Sequence, residues 1–192
     1  MKNIKMIKNI AIIFFITEIV FINLTFSAEK ENNMKGLIIH GKNFWFMITE
    51  PKGWTIEIED ANARQLNVYF VMAGYTWDNS PGLIYIRVMD KQGLTVEEHL
   101  KTDMKDYKNK NQSIQFKKYD VKGFRYHYAS KNYLIDNKYC DYLCYADPGP
   151  DCKSYLIFVL TSNMKDCGRY TDVFNTVLKS FTWGGDKVKG GK

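Results

Sequence analysis

The chain has 192 residues, and its 27 Lys and Arg against 21 Asp and Glu give a formal charge of +6. The excess is mild, and the lysines are spread along the chain rather than gathered in a basic stripe, which excludes a typical nucleic-acid binder. The length suits one ordinary domain with a real core.

The opening segment has the three-part layout of a secretory signal. Lys2, Lys5 and Lys8 form a positive start, and Ile10 to Phe26 is almost wholly apolar, interrupted mainly by Thr17, Glu18, Asn23 and Thr25. Thr25-Phe26-Ser27-Ala28 then meets the charged run Glu29-Lys30-Glu31. Residues 1–28 are expected to hold a signal peptide, the mature chain beginning at Ala28 or Glu29; the small-residue rule fits cleavage after Ser27, with Thr25 three positions back. A spanning helix needs roughly 20 apolar residues. This run is shorter and carries Glu18, so no stable membrane span is expected after signal removal. No cysteine sits at the junction to take a lipid. A periplasmic or secreted location follows, and the remaining chain of formal charge +4 has lost three lysines and Glu18.

Residues 29–43 are expected to be a disordered or extended N-terminal segment, with short strands from Leu37 onward, and 44–183 to be the folded domain. Phe44 to Ile48 reads as a strand before Pro51, and Gly53-Trp54 as a turn. Trp54-Thr55-Ile56-Glu57-Ile58-Glu59 alternates at period two, the mark of a half-buried strand. Leu66 to Ala73 is a further strand. Residues 74–82 form a loop dense in turn residues, and Leu83 to Met89 an apolar strand that reads as buried on both faces.

Thr95-Val96-Glu97-Glu98 is a capping box opening a helix from Val96 to about Tyr107, with Val96, Leu100, Met104 and Tyr107 on one face. Strands are expected at 113–119, 123–130, 132–145 and 153–162, the last two joined by the Pro- and Gly-rich turn 146–151. A final helix at 167–180 places Tyr170, Val173, Phe174, Val177, Leu178 and Phe181 on one stripe. Residues 184–192 are expected to be a flexible tail. Strands, helix, strands, helix is the order of an α+β fold: a mainly antiparallel sheet packed with helices.

This order and its landmarks resemble the PsbP-like family of α/β/α sandwiches. The matching segments are Phe46-Met47-Ile48-Thr49-Glu50-Pro51-Lys52-Gly53-Trp54, Gly93-Leu94-Thr95-Val96-Glu97-Glu98-His99-Leu100, Tyr155 to Ser162, and Val173-Phe174 through Ser180-Phe181. Together they span roughly residues 44–183. The resemblance implies a binding or accessory module rather than an enzyme, with no shared catalytic residues to transfer. The cysteine cluster departs from the family pattern.

Cys140, Cys144, Cys152 and Cys167 all lie in the final third. In an exported chain an even count reads as disulfides, and spacing alone permits three pairings. The expected hairpin favours Cys144–Cys152 across its turn, and Cys140–Cys167 between sheet and final helix. Their separations of three, seven and fourteen residues do not match the paired spacing of zinc sites. Asp141, Asp147 and Asp151 match no calcium loop and suit turn positions. His40, His99 and His127 show no metalloprotease spacing; His99 reads as a helix-surface residue paired with Asp103. No catalytic, cofactor-binding or metal-binding residue is therefore expected.

Tyrosine is frequent, with 13 in the chain, and crowds the late strands, where cross-strand pairs stabilise sheets. Trp77 stands in a polar loop with no obvious core to fill. With Tyr75, Tyr126 and Tyr128 it is the candidate partner-binding surface, since Trp and Tyr dominate interface energetics. The expected function is that of an exported, non-catalytic binding or accessory protein for an unknown protein or small molecule. A cell-envelope hydrolase and a metal-handling module are the alternatives.

Overall fold

The computed structural model describes residues 36–110, 114–135 and 138–186, and for 127–129, 132–135 and 186 the backbone alone. The expected signal peptide, residues 29–35 and the last six residues lie outside the described residues. In chain order the elements are β1 (Leu37–His40), β2 (Phe44–Ile48), β3 (Trp54–Glu57), α1 (Glu59–Ala63), β4 (Val68–Met72) and β5 (Gly82–Asp90). Next come α2 (Val96–Lys110), β6 (Gln115–Lys118), β7 (His127–Ile135), β8 (Tyr139–Ala146) and β9 (Ser154–Asn163). A short 3-10 turn (Met164–Asp166), α3 (Thr171–Ser180) and β10 (Thr182–Asp186) complete the described chain.

Seven strands form one sheet in the order β3-β4-β5-β9-β8-β7-β6, and β1-β2-β10 form a second. Every described pairing is antiparallel. The α+β class expected from the element order is the one observed. Among the described residues no helix is long and apolar enough to cross a membrane.

The large sheet is covered on both faces, which explains why its central strand reads as an unbroken apolar run. Along β9, Leu156, Phe158 and Leu160 point to one face, into a core shared with Phe46 and Ile48 of the small sheet and Phe174, Val177 and Leu178 of α3. Each of these side chains is fully buried, and such burial contributes roughly 1.5–3 kcal/mol per residue. Tyr155, Ile157 and Val159 point the other way, against Val96 and Leu100 of α2. At the edge of that same face, Tyr69, Val71 and Leu83 pack under Ala61 of α1.

The expected capping box is in place: Thr95 N–H donates to Glu98 Oε2 at 2.7 Å, and Glu98 N–H to Thr95 Oγ1 at 3.3 Å. The stripe on the final helix is also as expected, with Tyr170, Phe174, Val177, Leu178 and Phe181 all buried. That helix begins at Thr171 rather than 167. Gly168 adopts φ +87°, a left-handed conformation that a regular helix cannot contain.

Three other boundaries differ. The strand expected to reach Glu59 stops at Glu57 and turns into α1. The strands expected at 123–130 and 132–145 are instead β7, which runs to Ile135, and β8, which begins at Tyr139. Val121 and Phe124 then serve the core from a loop, with Gly123 at φ +72° between them. Residues 184–186, expected as the start of a tail, belong to β10, which pairs with β2 through a register shift between Trp183 and Gly185.

Of the two expected disulfides, Cys140–Cys167 is present, with Cα atoms 5.4 Å apart. Cys144–Cys152 is a correction: Cys144 is a buried free thiol. Phe158, not Cys152, lies opposite Cys144, and the β8–β9 pairing ends at Ala146 and Leu156. Cys152 therefore sits in a loop wider than a tight hairpin turn. Lys91 is hydrogen-bonded to that loop at three points. Its ammonium donates to Asp147 Oδ1 and to the Gly149 carbonyl, each at 2.7 Å, and its N–H donates to the Lys153 carbonyl at 2.8 Å.

A candidate binding cleft under the second helix

The α2 face of the large sheet is only partly covered. Helix α2 lies over β7 and β8 and α1 over β4, leaving a cleft of about 230 Å³ across β5, β9 and β8. Register fixes its floor. Arg87, Ile157 and Tyr145 form one row across the three strands, and Tyr85, Val159 and Leu143 form the next. Neighbouring strands lie about 4.8 Å apart, so each row spans about 10 Å of the floor. The wall comes from Asp103, Asp106, Tyr107 and Lys110 of α2, positions spaced three or four apart that share one helix side.

The helix is held over the sheet by polar contacts. Tyr145 O–H donates to Asp103 Oδ2 at 2.5 Å. His99 Nε2 lies 2.8 Å from the Lys91 carbonyl; that oxygen only accepts, so Nε2 carries the proton. The His99 ring stacks on Tyr155 with centroids 4.5 Å apart. His99 is thus a half-buried anchor joining α2, its entry loop and β9, not the surface partner of Asp103 that its spacing suggested.

Three phenols of the cleft, Tyr85, Tyr145 and Tyr155, are hard to ionise. Burial, then the hydrogen bond to Asp103, pushes Tyr145 far above the usual phenol range. Burial and the charge of Asp141 raise Tyr85. Burial and the charge of Asp103 push Tyr155 up to about 12. At neutral pH these hydroxyls are proton donors and their rings are contact surface; none is poised as a base.

The four residues expected as a partner surface are not gathered together. Trp77 folds back over the edge of the large sheet, its ring 5.1 Å from that of Tyr69 and 6.0 Å from that of Tyr85. The Arg64 guanidinium lies 4.7 Å above it, and Arg64 pairs with Asp60 at 2.7 Å. Its polar loop thus supplies the lid of a small hydrophobic cluster. Tyr75, in the same loop, is exposed. Tyr126 belongs to the opposite face, packed on Phe124 and Phe181, and the Tyr128 side chain lies outside the described residues. Among the described residues no group of three or more His, Cys, Asp or Glu is placed to hold a metal ion.

Sequence reasoning missed the cleft. The available signal was Arg87, a charge inside a strand read as apolar on both faces, at the same period-two positions as Leu83, Tyr85 and Met89.

No family model matches the chain, and no curated protein matches it. Among solved structures it is similar to cyanobacterial PsbP (CyanoP) from Synechocystis sp. PCC 6803, with 14% identity and a TM-score of 0.46, over 81% of this chain and 96% of that one.

Proposed function

We propose that this is an exported, non-catalytic binding or accessory protein of PsbP-like type, and that it takes a small ligand in the cleft between α2 and the large sheet. The observation that carries the reading is the lining of that cleft. Tyr85, Tyr145, Leu143, Ile157 and Val159 make the floor with Arg87 among them, Tyr107 and Tyr155 add aromatic surface, and Asp103, Asp106 and Lys110 stand at the side. Aromatic and aliphatic side chains interrupted by placed polar and charged groups are a usual lining of small-molecule sites. Tyr85, Tyr145 and Tyr155, held protonated, suit holding a ligand rather than transforming it. Export rests on the signal-like opening segment, and the Cys140–Cys167 bond suits an oxidising compartment. The PsbP-like assignment rests on the ordered sequence motifs and on an antiparallel sheet covered on both faces.

A crystallographic fragment screen tests the site. Fragments are expected against Tyr107, Tyr145 and Ile157, and soaked compounds should be recovered chemically unchanged. Hits confined to other surfaces would remove the cleft as the site, and turnover of a soaked ester or glycoside would make the protein an enzyme.

A further inference from the structure

Arg87 is the feature of the cleft that no ion pair or hydrogen bond among the described residues accounts for. It lies half-buried on the floor near the centre of the large sheet, on β5 between Tyr85 and Met89. Among the described residues no carboxylate comes within ion-pair distance of it; the ion pairs there involve Arg64, Lys91, Lys101, Lys118 and Arg169. No described hydrogen bond engages its guanidinium either. Burying charge is unfavourable unless it is paired, and a guanidinium presents a planar fork of donors that matches a carboxylate.

The other charges near the cleft do not supply the missing partner. Asp103 accepts the Tyr145 hydroxyl proton through Oδ2. Asp106 and Lys110 are exposed, lie one helical turn apart on α2 and offset each other at the mouth. Arg87 is therefore the one charged side chain in the two floor rows, with the Asp103 and Asp106 carboxylates and the Lys110 ammonium on the wall. Ile157, opposite it in register, and Leu143 and Tyr145 beyond offer apolar contact within one residue's reach.

Resting on the cleft as the binding site, we infer that its ligand is a small organic carboxylate with a ring or branched apolar body. The carboxylate sits on the Arg87 fork, and the body lies over Ile157 and Leu143 beneath Tyr107. The cleft's 230 Å³ is below the roughly 300–1,000 Å³ typical of drug-sized sites, which limits the body to about one or two rings. An arginine can also occupy such a position merely because its stem packs on the sheet while its head reaches water, so the experiment must separate stem from charge.

The probes are 1-naphthoate and its neutral isostere 1-naphthamide, titrated into the purified, isotopically labelled protein and followed by backbone amide shifts. Naphthoate is expected to bind about tenfold tighter or more, as one charge-assisted bidentate contact implies, with the shifted amides on β5, β8, β9 and α2. Arg87→Met keeps the stem and removes the charge; it should bring naphthoate down to the affinity of naphthamide and leave naphthamide unchanged. Equal binding of both probes in the cleft, indifferent to Arg87→Met, overturns the anion inference and leaves the cleft as a site. Absence of cleft shifts with either probe overturns both. The comparison of the two probes on the unaltered protein stands even if the variant folds poorly.

Discussion

Replacing Cys140 and Cys167 together with alanine removes the one described covalent link within the fold. The bond joins β8 to the turn before α3 across a sequence separation of 27 residues. Loop-closure entropy for a loop of that length is worth about 3.5 kcal/mol at 25 °C, taken from the unfolded chain. For a domain of this size each kcal/mol moves Tm by roughly 2–4 °C, so the double variant should melt about 10 °C lower. Cys140 is fully buried, and truncating it leaves a small void whose effect should stay near 1 kcal/mol. Cys144→Ala is the matched control, because Cys144 is equally buried and carries no bond. Thermal unfolding followed by circular dichroism, with and without reductant, is the assay. Reductant should lower the Tm of the parent and of Cys144→Ala, and leave the double variant where it is. A double variant melting within about 3 °C of the parent, or a parent indifferent to reductant, would refute the cross-link account.

Two further outcomes follow from the aromatic residues on the α2 face. Trp77→Ala should destabilise the protein by about 2 kcal/mol, roughly half of what a fully buried tryptophan contributes, while Trp77→Phe retains most of it; an unchanged urea midpoint would mean that the ring covers nothing. Tyr155, held at about 12 in the fold against about 10 in an unfolded chain, favours the folded state fully below pH 10 and loses that effect as pH rises through 12. Tyr155→Phe should therefore lose less stability than the parent between pH 9.5 and 11.5 in urea titrations. Equal slopes would place Tyr155 in ordinary solvent. Tyr119, also pushed up to about 12 mainly by burial, leaves part of the alkaline decline in both proteins.

What could be read from the residues was what local physics dictates. The Thr95–Glu98 capping box, the apolar stripe from Tyr170 to Phe181 and the unbroken run of β9 each specify an element without reference to the rest of the chain. Boundaries set by distant partners could not be read this way. Thr182–Asp186, rich in glycine, looks like a tail until it meets β2, and Cys152 looks like the partner of Cys144 until the β8–β9 register sets Phe158 opposite Cys144. The cleft was hidden for a related reason. Tyr85, Arg87, Tyr145 and Asp103 are up to about sixty residues apart in sequence, and strand order and register, not spacing, bring them together. Trp77 misled in the opposite direction: its neighbours in sequence are polar, whereas its neighbours in space are Tyr69, Tyr85 and Arg64.

The small sheet joins the two ends of the domain, since β2 is hydrogen-bonded to β1 on one side and to β10 on the other. Met47 pairs with Thr182, so at ordinary synthesis rates the middle strand waits on the order of ten seconds for its second neighbour to be made. During that interval Phe44-Trp45-Phe46-Met47-Ile48 offers a bare, strongly aromatic edge, the kind of edge on which chains stick to one another. A product ending before Thr182 would carry that edge permanently. β10 thus works as a seal on β2, and a chain that stops before β10 is marked by an adhesive edge even though most of the described core residues are present.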